Sequence, residues 1–291
     1  MKKTVLLLFA MAVVLFSNPI LSTAQEGIDR EALTPKYREL NQNQVREVIT
    51  YGQSRADTID VTQNNNINDL IDAFLVDSSG LFVTDIQLTG HPDATGLYTG
   101  GPFNIDDGII LATGKAVDAE PPDDSPSKST DLDEPGCVLC DSLADGYTTY
   151  DAVILEITFD AAVVCSTIAF DFVFGSEEFP EYVGTQYNDV FGVYLNGDQI
   201  AYDEFGNPIT INGGFFDSTG YVQTPPTNGL QYDGSTLRLK TQAQIVPGSL
   251  NNTLTFVICD ASDHVWDSGV LLANLEGSGD IPPCTGVAPE F

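Results

Sequence analysis

Val153-Ile-Leu-Glu-Ile-Thr-Phe159 and Ile168-Ala-Phe-Asp-Phe-Val-Phe174 decide the fold. In the first run Val153, Leu155, Ile157 and Phe159 alternate with Ile154, Glu156 and Thr158. In the second, Ile168, Phe170, Phe172 and Phe174 occupy every other place. A period of two puts successive side chains on opposite faces of a strand, so each run predicts a strand with one face in a core. Leu254, Phe256 and Ile258 repeat the pattern against Thr255 and Val257, and Arg238 and Lys240 face away from Leu237 and Leu239. Asn196-Gly197-Asp198, Phe205-Gly-Asn-Pro208 and Asn212-Gly-Gly214 supply turns between such runs. Helical spacing is scarce. Leu70, Ile71, Phe74 and Leu75, following Asn64 to Asn66, predict one short helix over residues 68–76 whose apolar face covers the end of a sheet. The expectation is an all-β chain, an antiparallel two-sheet β-sandwich of jelly-roll type over residues 58–279. Residues 118–147, dense in Asp, Pro and Ser, read as a long, exposed acidic insertion, either mobile or pinned near Cys137 and Cys140.

The flanks differ in character. Lys2-Lys3, the apolar residues 5–16 and Ser22-Thr-Ala24 form an export signal, residues 1–24, cleaved near Ala24. Its apolar run is too short for a spanning helix, and no later segment is long and apolar enough to insert the mature chain into a bilayer. A secreted, extracellular or cell-surface location follows. Residues 25–57 are a polar lead-in in which Tyr37, Leu40, Val45 and Val48 lie partly on one helical stripe after Pro35. Residues 280–291 form a tail.

The formal charge is −31, with 42 Asp and Glu against 11 Lys and Arg. That balance excludes nucleic acid and anionic membrane surfaces as partners, since both repel a polyanion. With 16 Phe and 11 Tyr the chain still builds a sizeable core. Five cysteines, Cys137, Cys140, Cys165, Cys259 and Cys284, in an oxidising compartment predict disulfides of undetermined connectivity with one thiol left over. Cys137-Val-Leu-Cys140 has redox-motif spacing but lacks the strand-to-helix context of that chemistry, so a loop-closing disulfide is preferred. With only His91 and His264 available, a zinc site lacks a second ligand pair.

The chemistry concentrates in two polar loops. Between Lys128 and Arg238 there is no Lys or Arg, and the densest acidic stretch of the chain lies inside that interval. Glu177, Glu178, Asn188 and Asp189 fall between one aromatic strand and the next; Asp260, Asp263, Asp267 and Ser268 fall between two later strands. Two carboxylates about 4 Å apart repel by roughly 4 kcal/mol at an effective dielectric near 20. They must spread into water, take up protons, or bind a cation. Hard oxygen donors in this density predict a composite calcium site if both loops emerge at one end of the sandwich. The plainer alternative is a pair of solvated turns whose Asn188, Asp189 and Ser268 satisfy backbone amides. Trp266 and His264 mark a candidate binding surface for sugar, although a lone tryptophan more often fills core volume. Adjacent glutamates on a strand face opposite ways, and the chain has no Gly-x-Ser-x-Gly elbow, so a glycosidase-type role for Glu177 or Glu178 is the alternative and not the reading.

Four stretches carry a family resemblance: Asp107-Gly-Ile-Ile-Leu-Ala-Thr-Gly114; Thr149-Tyr-Asp-Ala-Val-Ile-Leu-Glu-Ile-Thr-Phe159; Phe172-Val-Phe-Gly-Ser-Glu-Glu-Phe-Pro-Glu-Tyr-Val-Gly184 with Asn188-Asp-Val-Phe-Gly192; and Asp267-Ser-Gly-Val-Leu-Leu272. In these the chain resembles the choice-of-anchor L domain family of bacterial surface and secreted proteins. The resemblance implies an extracellular β-rich module, joined in many members to a carboxy-terminal anchor, and it supplies no catalytic residues. The tail here carries no apolar anchor, which leaves release, capture through Cys284 or a continuing chain as the alternatives. The expected function is a non-enzymatic binding or adhesion module stabilised by calcium, its partner a glycan, a protein or a second copy. A purely structural envelope or matrix role is the remaining alternative.

Overall fold

A computed structural model describes residues 59–77, 79–203, 206–217 and 222–279. The export signal, the lead-in with its helical stripe, and the tail with Cys284 lie outside the described residues. Among the described residues, thirteen strands form two antiparallel sheets that do not close into a barrel. The first sheet runs β1 (Asp60–Gln63), β3 (Thr95–Thr99), β4 (Asp107–Ala112), β13 (Ser268–Ser278), β6 (Thr167–Ser176) and β10 (Gly234–Ser235), with β11 (Leu239–Gln244) also on β6. The second runs β2 (Leu81–Thr89), β5 (Thr149–Ala161), β12 (Asn252–Ala261), β7 (Val190–Leu195) and β8 (Asp198–Gln199), with β9 (Ile209–Thr210) also on β7. From β4 to β7, and again from β11 to β13, the chain alternates between sheets, which is the jelly-roll arrangement.

The alternating stripes meet between the sheets as the sequence predicts. Phe170 and Phe172 of β6 lie 5.1 and 5.2 Å, ring centre to ring centre, from Phe256 of β12 and Phe191 of β7. The predicted helix forms over Ile67–Phe74, where the Asn66 side chain accepts from the Asn68 amide and caps its start. Its Leu70, Ile71 and Phe74 are buried, and Phe74 meets Phe256 edge to face at 5.3 Å. The helix therefore plugs one gap in the core rather than standing apart.

Two expectations need correction. The helix is not alone, because Val138–Leu143 and Gly214–Asp217 are also helical. Nor is the acidic insertion simply exposed. Cys140, Leu143 and Ala144 are buried against the outer face of the second sheet, with Val190, Val257 and Cys259. A Cβ on Gly192 of β7 would collide with Leu143, so glycine there lets the helix settle on the strand. Cys140 is disulfide-bonded to Cys259 of β12, 119 residues away, while the Cys137 thiol stays free 3.9 Å from the Cys259 sulfur. The first sheet is likewise covered on its outside, by Ala116, Ala119, Leu230 and Tyr232 over Val173 and Leu271. With both faces sealed, β4 and β7 are apolar almost throughout, as strands buried on two sides are.

Candidate functional site

At one end of the sandwich the inward stripes stop being apolar without stopping being buried. On β6 the series Phe170, Phe172, Phe174 continues into Ser176 and Glu178; on β12, Phe256 and Ile258 continue into Asp260. On β7 the stripe of Val193 and Phe191 leads back to Asp189, and β13 and β4 end theirs with Ser268 and Thr113. Because Cys259 pairs with Val190, Asp260 falls directly across from Asp189, side chains on the same face. Glu178, Asp189, Asp260, Ser268 and Thr113 are each no more than 1 % exposed. They form a polar layer closing the core.

Hydrogen bonds hold part of this layer. Ser268 Oγ donates to Asp189 Oδ2 at 2.6 Å and the Ala261 amide to Asp189 Oδ1 at 3.0 Å. The Asp189 amide donates to Glu178 Oε2 at 3.3 Å, linking the two sheets. Asp260 is different: neither of its carboxylate oxygens makes a hydrogen bond of good geometry, although the Asp189 carboxyl and the Thr113 hydroxyl adjoin it. The Thr113 hydroxyl also donates to the Ser268 carbonyl and accepts from the Ser268 amide. Among the described residues no lysine or arginine pairs with any acid of the layer. Burial therefore pushes Glu178, Asp189 and Asp260 upward from the usual carboxylate range, and their mutual repulsion raises Glu178 and Asp260 further.

Glu177 and Asp267 point the other way, to the outer face of the first sheet. Burial raises Glu177 to about 9, with Asp233 adding repulsion, and raises Asp267 to about 8 against a stabilising hydrogen bond from the Thr130 amide. Asn188 is buried but engaged, its side-chain oxygen accepting from the Asn212 amide at 2.8 Å, as the turn-capping alternative anticipates. Asp263 is half-buried beside the layer, its Oδ1 accepting from the Val265 amide. The two loops thus do emerge at one end, but the eight predicted ligands split between two faces of a sheet.

Above the layer lies an aromatic rim. Trp266, half-buried and in the left-handed region at φ 73°, stands edge to face with Tyr182 at 4.6 Å, and Tyr182 meets Tyr187 at 5.1 Å. Trp266 does not fill core volume. His264 lies against the Tyr150 ring at 4.1 Å, with Nδ1 at 3.0 Å from Asp151 and 3.4 Å from Asp131. Asp151 is itself left-handed, at φ 47°, where the β5–β12 register slips, and this turns its carboxylate toward His264. Asp131, Asp151 and His264 bring donor atoms within 4.8 Å of one another, as do Cys137, Cys140 and Cys259; among the described residues no three of the predicted acidic calcium ligands do. Sequence reasoning missed Thr113, Asp151, Asp233 and Tyr182. The first could have been found by extending the apolar stripe of β4 one step.

Fold and site together define a two-sheet β-sandwich with a buried acidic layer under an aromatic rim. Residues 58–276 match the choice-of-anchor L domain model, and the chain belongs to that family. No curated protein matches the sequence. Among solved structures, the carbohydrate-binding module TmCBM27, described by its specific mannan recognition, is similar over 76 % of this chain and 95 % of its own, at 9 % identity and a TM-score of 0.32. A module specific for non-crystalline cellulose, CBM28, covers 74 % and 97 % at 13 % identity and a TM-score of 0.34. TmCBM61, solved with β-1,4-galactotriose, covers 73 % and 99 % at 8 % identity and a TM-score of 0.25. No helix among the described residues is long and apolar enough to cross a membrane.

Proposed function

We propose that this chain is an extracellular, non-enzymatic adhesion module that binds a glycan across Trp266, Tyr182 and Tyr187. The observation that carries the reading is Trp266, held half-exposed in a left-handed turn against Tyr182 and not packed into the core. Strained backbone of this kind persists where surrounding structure enforces it, commonly at ligand sites. Aromatic rings offer apolar faces to the C–H faces of a sugar, while Glu181, Asp263 and His264 around them supply polar partners for hydroxyls.

Calcium belongs to the same reading. Glu178, Asp189, Asp260 and Asp263 would hold it, with Ser268 as a hydroxyl donor, and the ion would neutralise the layer that joins the rim to the core. The unpartnered oxygens of Asp260 support this: a buried carboxylate without a donor is costly unless protonated or paired with a cation. Hard oxygens of this kind suit calcium. Glu177 and Glu178 are no more than 1 % exposed and face opposite sides of the strand, which disfavours the glycosidase alternative, since two carboxyls must flank one bond.

The test is a glycan array followed by titration calorimetry on the best hit. Binding without turnover is expected, weakened about two- to tenfold in Trp266→Ala or Tyr182→Ala, as loss of one stacked ring is worth about 0.5–1.5 kcal/mol. Unchanged affinity in both variants would remove the rim from the account, and turnover lost in Glu178→Gln would favour the enzyme.

A further inference from the structure

Beside the rim, three separate segments of the chain bring unlike donors together. Asp131 comes from the insertion, Asp151 from β5, and His264 from the loop between β12 and β13. One donor atom from each side chain lies within 4.8 Å of the other two. His264 Nδ1 stands 3.0 Å from Asp151 Oδ2 and 3.4 Å from Asp131 Oδ1. Zinc bonds imidazole nitrogen and carboxylate oxygen at about 2.1 Å, which sets two ligand atoms of a tetrahedral ion about 3.4 Å apart. The two distances to Nδ1 come close to that spacing.

Each donor is held from outside the cluster. Asp151 is buried at the register slip of β5, and its Oδ1 accepts from the Glu134 amide at 2.8 Å, which leaves Oδ2 facing the imidazole. The Tyr150 ring backs that imidazole. Asp131 lies on a span fixed at both ends. On one side the Thr130 amide donates to Asp267 Oδ1 at 3.0 Å; on the other Pro135 bridges to Tyr150, and the Asp151 amide donates to the Glu134 carbonyl at 2.9 Å. Outer partners of this kind orient the ligands of a metal. Among the described residues no lysine or arginine pairs with Asp131 or Asp151. Nδ1 carries at most one hydrogen, which serves one carboxylate well, whereas a dication answers all three lone pairs at once.

We propose that Asp131, Asp151 and His264 form a zinc site, with a fourth position open to solvent, that ties the insertion to the loop carrying Trp266. The side chain of Asp131 is 62 % exposed, and the ion enters from that side. The nitrogen donor sets the site apart from the inner layer, since imidazole suits zinc while calcium takes six to eight oxygens. The Cys140–Cys259 bond withdraws two of the three clustered sulfurs from competition for the ion. None of the three residues belongs to the inner layer, so the site needs neither calcium nor a glycan.

Trp266, the single tryptophan of the chain, lies two residues from His264 and reports on the loop. Zinc chloride titrated into the full chain in excess calcium, which fills hard-oxygen sites, is expected to bind one equivalent by calorimetry. Trp266 fluorescence should change with the same midpoint. Asp131→Asn and His264→Gln should each weaken that event about tenfold or more. Asp131 is exposed enough for its variant to fold, which an unchanged melting curve without zinc checks. Cobalt in place of zinc separates nitrogen and oxygen ligation from sulfur: visible absorption is expected with no thiolate charge-transfer band, unaltered in Cys137→Ser. No saturable zinc binding to the wild-type chain, undiminished binding in either variant, or a thiolate band would each overturn the site.

Discussion

Gly114 lies across from Asp267, two steps beyond the Gly269–Ala112 pair, and a methyl group there would collide with the Asp267 carboxylate. The side chain of Asp267 leans into the space that only glycine leaves. Gly114→Ala should therefore cost about 1–3 kcal/mol, as overpacking does, measured as a lowered midpoint in urea with the slope unchanged. At this scale the sequence was partly legible. The acids of the two loops could be picked out because no basic residue accompanies them, and seven of the eight proposed ligands proved to be buried or nearly so. What could not be read was the face each occupies. That depends on register, and Glu177 and Glu178 are neighbours in sequence that end on opposite sides of a sheet. Asp151 was hidden for a related reason: a bulge in β5 turns a residue that the alternating pattern alone would have left unremarked.

Among elements, β5, β6 and β12 were legible from their period of two, and the 67–74 helix from its spacing of Leu70, Ile71 and Phe74. Phe74 meets Phe170 and Phe256, so Phe74→Ala should destabilise by about 3–5 kcal/mol, read by chemical denaturation. Of the two alternatives for the insertion the pinned one holds, and its few apolar residues, Leu143 and Ala144 with Cys140, are the ones that dock. The Cys140–Cys259 bond that fixes it joins residues 119 apart, a pairing no spacing rule reveals. A cross-link closing a loop of that length stabilises mainly by restricting the unfolded chain. Cys140→Ser should cost on the order of 2–5 kcal/mol and speed proteolysis within residues 120–147 more than elsewhere.

For the whole molecule, the excess of acid becomes a dependence on pH and on cations. Unfolded carboxyls ionise near pH 4, whereas in the folded chain burial holds Asp267 protonated to about 8 and Glu177 to about 9. Between these limits the unfolded state binds fewer protons than the folded one, so in chelator stability must fall as pH rises from about 5 to about 9. Calcium acts on the ionised form and should flatten or reverse that slope. A melting series from pH 5 to 9, with and without chelator, checks the sign. The family and the two-sheet architecture were within reach of the sequence because long motifs and alternation carry them. The aromatic rim was not, since Trp266, Tyr182 and Tyr187 come together only when two distant loops meet.

The inner acidic layer is the centre of the account, and differential scanning calorimetry at pH 8 tests it most directly. With calcium at about a hundred times its dissociation constant, the wild-type chain should gain about 2.7 kcal/mol over the same chain in chelator. Asp260→Asn should lose most of that gain while melting no lower than wild type in chelator, because a carboxyl that burial forces to stay protonated has been replaced by a neutral amide. Identical melting of the wild-type chain in calcium and in chelator would contradict the account.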